Sequence, residues 1–174
     1  MSARRLAALP LVAAAAALLP GHSPYRQWYA YRAQHLVIVT DGARPGAPEL
    51  ASAVAAAVAA YRPETRAVPA TARSPLEVVK LLVSGQLQVG LLPPSDALAA
   101  FEGRGRYAEL GKVPLRAVGV AGEDVIVALD GFAAERACTI AKALRKSPAR
   151  GPLANRGHAP PIPLHSGLAG CRGG

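Results

Sequence analysis

Between residues 35 and 144, short unbroken apolar runs alternate with helical stripes, and that alternation predicts an α/β fold. His35-Leu36-Val37-Ile38-Val39-Thr40 is a continuous, largely β-branched run, the pattern of a strand buried on both faces. A loop of turn formers, Asp41-Gly42-Ala43-Arg44-Pro45-Gly46, ends it. From Glu49 to Tyr61 the apolar residues Leu50, Val54, Val58 and Tyr61 recur at helical spacing until Pro63 stops them. Arg66 to Ala70 is expected as a second strand. Ser74-Pro75-Leu76-Glu77 then supplies an N-cap serine, a proline at the first helical position and a capping glutamate. The helix it opens runs through Val79, Leu82 and Val83 to a C-terminal glycine, Gly85. Leu87 to Leu92 is the third strand, closed by Pro93-Pro94, and Ser95-Asp96 starts a third helix through Phe101. Leu115 to Val120 and Asp124 to Leu129 are two more strands joined by the Ala121-Gly122-Glu123 turn. Ala133 to Leu144 is a final helix.

Helices between extended segments imply parallel strands with right-handed crossovers. The expected fold class is therefore α/β, with a mostly parallel sheet flanked by helices. In such sheets ligands gather at the carboxyl ends of the strands, beside helix N-termini. Three loops lie there: Thr40 to Gly46, Thr71 to Ser74, and Pro93 to Asp96.

Charge changes little in this picture once it is mapped. The net +9 comes from two acid-free ends. Residues 1–32 carry Arg4, Arg5, Arg26 and Arg32, and residues 145–174 carry Arg145, Lys146, Arg150, Arg156 and Arg172. The region between is neutral, and a nucleic-acid footprint needs its bases on a folded face. No nucleic-acid partner is expected. Arg4 and Arg5 precede an apolar run from Leu6 to Leu19, the layout of a secretory signal. Residues 1–21 are expected to be a signal peptide or a short N-terminal membrane tether, which places the protein in the periplasm or on a membrane facing it. Residues 22–34 form an aromatic and basic lead-in that suits either a membrane interface or packing on the fold. Residues 35–144 are the domain, 145–161 a flexible linker and 162–174 a C-terminal segment. Cys138 and Cys171 leave two readings open, a disulfide tying the tail to the last helix or two unpaired thiols.

The chemistry on offer is binding rather than catalysis. Arg73 and Ser74 at the N-terminus of the second helix, with Thr40, Arg44 and Ser95 around them, are candidates for holding a carboxylate. Helix dipole, free amides and a guanidinium would act in one direction there. The plainer reading makes Ser74 only a cap, Arg73 only solvated and Arg44 only a loop residue. Asp96 is expected to balance the helix dipole, and His35 to be structural. No nucleophile elbow, HExxH or P-loop lysine occurs. No catalytic residue, cofactor or metal is expected.

Several segments, in order, resemble the TAXI type of solute-binding protein, the extracytoplasmic receptor of TRAP transporters. They are Tyr31-Arg32-Ala33-Gln34-His35-Leu36-Val37-Ile38, then the run from Leu81-Leu82-Val83-Ser84-Gly85-Gln86 to Leu92, then Ser95-Asp96, Gly103 and Pro114-Leu115-Arg116-Ala117-Val118. Ala137 to Leu144 and Pro163-Leu164-His165-Ser166-Gly167 complete the set. The resemblance implies a periplasmic-binding-protein-like lobe, a small organic anion as ligand and a membrane permease of TRAP type as partner. Two features depart from it. The glycine-rich loop after the first strand is replaced by Thr40-Asp41-Gly42-Ala43-Arg44-Pro45-Gly46, where Arg44 could stand in for lost amides and Asp41 would oppose an anion. Only about seven residues join Leu129 to Ala137, where the family inserts its second lobe. The resemblance thus implies a one-lobe relative, and a second function remains open: a lobe kept as a structural or interaction module without ligand.

Overall fold

Strands β1 (Val37–Asp41), β2 (Val68–Ala72), β3 (Val89–Leu92), β4 (Leu115–Ala121) and β5 (Asp124–Leu129) form one sheet in the order β2-β1-β3-β5-β4. The computed structural model describes residues 24–147, 153 and 159–171; the expected signal or anchor over 1–21 lies outside them, as does most of the expected linker. β1 pairs in parallel with β2 and β3, while β5 runs antiparallel between β3 and β4. The sheet is mostly parallel in direction, because only β5 opposes the rest. A tight hairpin forces that reversal, whereas the other strands are joined by crossovers.

Among the described residues the α-helices are α1 (Pro24–Gln34), α2 (Ala47–Tyr61), α3 (Pro75–Val83), α4 (Pro94–Glu102) and α5 (Ala134–Lys146). The crossover from β1 to β2 travels one way along the sheet and that from β2 to β3 travels back across β1. Two right-handed crossovers in opposite directions place their helices on opposite faces. Val78, Val79 and Leu82 of α3 accordingly pack with Val37, Val39 and the alanines of α4. Leu50, Val54 and Val58 of α2 pack with Ile38, Leu91 and Ile140 of α5 on the other face. Within β1 the alternation of Val37, Ile38 and Val39 between the two cores is the two-residue period of a strand.

Some boundaries differ from expectation, for local reasons. β2 begins two residues later because Pro63–Thr65 forms a 3-10 turn and Arg66 takes a left-handed φ of 45° before the chain extends. α5 runs two residues past Leu144, so Arg145 and Lys146 are helical rather than the start of a linker. Gly103 ends α4 at φ 68°, and a Cβ there would lie 2.5 Å from the Gly111 backbone, so glycine is required twice over. A 3-10 segment, Gly105–Leu110, follows and buries Tyr107 completely.

The two sheet edges are closed by different devices. On β2, Val68 N–H donates inward to Leu36, so Pro69 turns its donor-less nitrogen toward the open side. On β4, the C-terminal segment adds a short parallel pairing: Ala117 N–H donates to Pro163 at 2.8 Å, and His165 N–H donates to Ala117 at 2.9 Å. That segment is a strap across the edge. Ile162 is buried in the α3–α4 core, Gly167 lies flush against Ala134, and Cys171 is bridged to Cys138 on α5. Of the two readings left open for the cysteines, the structure has the disulfide.

Candidate functional site

The strand order reverses between β1 and β3, since β1 leads to β2 on one side and β3 follows on the other. Open α/β sheets bind ligands at such a switch point, beyond the carboxyl ends of the strands. Here that edge carries the loop after β1, the start of α4 and, because β5 is antiparallel, the first residue of β5.

Thr40 shares the α2–α5 face with Ile38 and is fully buried, and its Oγ1 has no hydrogen-bond partner. Asp124 is also almost fully buried, on the same face as Ile126. Arg44, in the loop after β1, forms an ion pair with Asp124 through Nη2, while its Nε is buried and unpartnered. Burial pushes the Asp124 carboxyl above its ordinary range; the Arg44 charge and hydrogen bond oppose that shift, and Glu123 adds to it. Two donors, a hydroxyl and a guanidinium N–H, are thus buried without partners at this edge, the guanidinium one on the residue that pairs with Asp124.

The other face of the edge is occupied by acids with internal work. Asp41 Oδ1 accepts from Ala43 N–H at 2.9 Å, which holds the loop in its turn. Tyr107 OH donates to Asp96 Oδ1 at 2.7 Å, and Arg106 Nε stands 3.7 Å from the same oxygen. Burial, then the Asp96 bond, raise the Tyr107 hydroxyl well above the ordinary phenol range. Asp96 does lie in the first turn of α4, as its position implied, and it also anchors the 3-10 segment.

Ser74 and Glu77 close the capping arrangement that the sequence announced. Ser74 Oγ accepts from Glu77 N–H at 3.2 Å, and Glu77 Oε2 accepts from Arg73 N–H at 2.7 Å. The Glu77 carboxylate therefore sits where an incoming anion would meet the α3 N-terminus. Arg73 and Ser95 are exposed. Of the five expected anion contacts, Thr40 and Arg44 share one face, while Arg73, Ser74 and Ser95 belong to helices covering the opposite one. Ser74→Ala is expected to cost about 1 kcal/mol in urea unfolding; an unchanged midpoint would mean that Glu77 alone suffices as a cap.

No protein-family model matches the chain, and no curated protein does.

Sequence reasoning reads Asp124 and Glu123 as adjacent turn residues pointing apart, whereas the structure buries Asp124 against Arg44. Its signal was an acid heading the apolar run Val125-Ile126-Val127-Ala128-Leu129, a place where a carboxylate is buried and needs a cation. At the opposite, amino edge of the sheet lies a groove of about 740 Å³ lined by Leu36, Tyr61, Thr65, Cys138 and Lys142, among others. Among the described residues no group of three or more His, Cys, Asp or Glu side chains could hold a metal ion.

Proposed function

We propose that this protein is a noncatalytic, extracytoplasmic solute-binding lobe of the TAXI type, taking a small organic anion at the switch point for a TRAP-type permease. One observation carries the reading: Thr40 Oγ1 and Arg44 Nε are both buried and both without a partner. A buried donor left unpaired costs roughly 1–3 kcal/mol, so ligand oxygens that paired with these donors would gain what the free protein forgoes. A carboxylate fits, since it accepts from a hydroxyl and a guanidinium together. The disulfide supports an extracytoplasmic setting, where such bridges persist. Arg73, Ser74 and Ser95 take no part in this version of the site; Thr40 and Arg44 carry it.

A specific observation favours the second reading, an interaction module without ligand. Arg44 already has an anionic partner in Asp124, and Glu77 guards the α3 N-terminus. The two readings differ in the response to ligand. Thermal-shift measurements against millimolar dicarboxylates and amino acids are expected to raise Tm for at least one compound. Thr40→Val should weaken that compound about tenfold or more, the worth of one hydrogen bond to a charged group. If no compound moves Tm and Thr40→Val simply stabilises the fold by removing an unpaired hydroxyl, the receptor reading fails.

A further inference from the structure

The Cys138–Cys171 bridge has two unequal ends. Cys138 lies on α5 and lines the amino-edge groove, one helical turn before Lys142. Cys171 is 2% exposed and is reached by Arg145, whose Nη2 stands 3.5 Å from its sulfur and 3.1 Å from its carbonyl oxygen. Thiol–disulfide exchange needs an accessible sulfur to attack and a leaving sulfur whose negative charge is stabilised. A guanidinium beside a sulfur favours its thiolate. Groove and guanidinium thus divide the two roles between the two cysteines.

We propose that this bridge is an exchangeable latch, with Cys138 the sulfur attacked by a low-molecular-weight thiol entering the groove and Cys171 the leaving thiolate held by Arg145. In the first step the small thiolate forms a bond to Cys138 Sγ, the Cys138–Cys171 bond breaks, and its electron pair leaves on Cys171. The product is a mixed disulfide on Cys138. A second small thiol displaces the first as a symmetrical disulfide, so two thiols deliver two electrons and both cysteines end reduced. The groove's volume of about 740 Å³ suits a molecule of peptide-fragment size rather than a folded dithiol protein. Opening removes the covalent tie between the end of the strap and α5, while Ile162 and the pairing at Ala117 hold its beginning. The inference is independent of the ligand reading, because it concerns the opposite edge of the sheet.

The test uses the full native chain and reduced glutathione as the probe, with free thiols trapped by an alkylating agent and located by peptide mass mapping. Glutathione is expected on Cys138 and alkylation on Cys171. Arg145→Gln should slow exchange by roughly three- to tenfold, because the leaving thiol becomes more basic. Arg145→Lys should recover part of the rate. A residue that merely clamped the strap would do the reverse, and its loss would speed exchange. Glutathione found on Cys171 overturns the proposal, as does an Arg145→Gln rate equal to or above that of the natural chain. So does a bridge that opens only in denaturant or only to a protein dithiol. The mapping in the natural chain decides the matter even where the variants fail to fold.

Discussion

Replacing Cys138 and Cys171 together by alanine is expected to destabilise the protein by about 3–4 kcal/mol and to lower Tm by roughly 10 °C. The cysteines are 33 residues apart, so the bridge removes a large closed loop from the unfolded ensemble. In the native state the loss falls on the strap, whose end is held by that bond, by Arg145 and by the fit of Gly167 on Ala134. Urea unfolding without added thiols measures the first quantity, and amide hydrogen exchange along residues 162–171 the second. A loss below 1 kcal/mol would show that Ile162 and the β4 pairing retain the strap unaided.

Arg44→Ala should cost about 3–5 kcal/mol at neutral pH, the usual range for stranding a buried charge. Asp124 is 1% exposed, whereas the Arg44 side chain is 31% exposed, so the two halves of the pair are not equivalent. Removing Asp124 leaves a guanidinium that can turn to water; removing Arg44 leaves a carboxylate that cannot. The pH dependence follows from the direction of the Asp124 shift. Its pKa in the folded state is already raised, so the folded protein holds that proton more tightly than the unfolded chain does. The stability this contributes is fully present below the unfolded carboxylate pKa and is lost as pH rises through the folded value. Arg44→Ala removes both opposing causes, raises the folded value further and widens that window upward. Part of the lost stability should therefore return on acidification, and Asp124→Asn in the same background should abolish that recovery. A deficit independent of pH would mean that Arg44 acts through packing and not through Asp124.

Much of the architecture was legible before any coordinates. The unbroken run Val37-Ile38-Val39, the Ser74-Pro75-Leu76-Glu77 cap and the proline after Leu92 are local signals, and each specifies its element without knowledge of the rest. Thr40 and Arg44 were also placed correctly at the carboxyl edge, because strand ends follow from strand runs. What stayed hidden depends on pairs distant in sequence. Arg44 meets Asp124 across 80 residues, and only the position of β5 next to β3 brings them together. Tyr107, set among Arg106, Glu109 and Lys112, carries no local sign of burial, and it is fully buried with Asp96 receiving its hydroxyl. The start of β2 was misplaced for a subtler reason: nothing in Arg66 announces a left-handed backbone.

The unequal closure of the two sheet edges limits how copies of this chain can join. Pro69 is part of the covalent chain and blunts the β2 side under all conditions, whereas the strap on β4 can in principle be peeled away. A molecule that lost it would expose one backbone edge and keep the other blunted. Its valence for strand pairing would be one. Extended cross-strand growth needs two open edges on every unit, so association through β4 terminates at a pair of copies and does not propagate into a fibre.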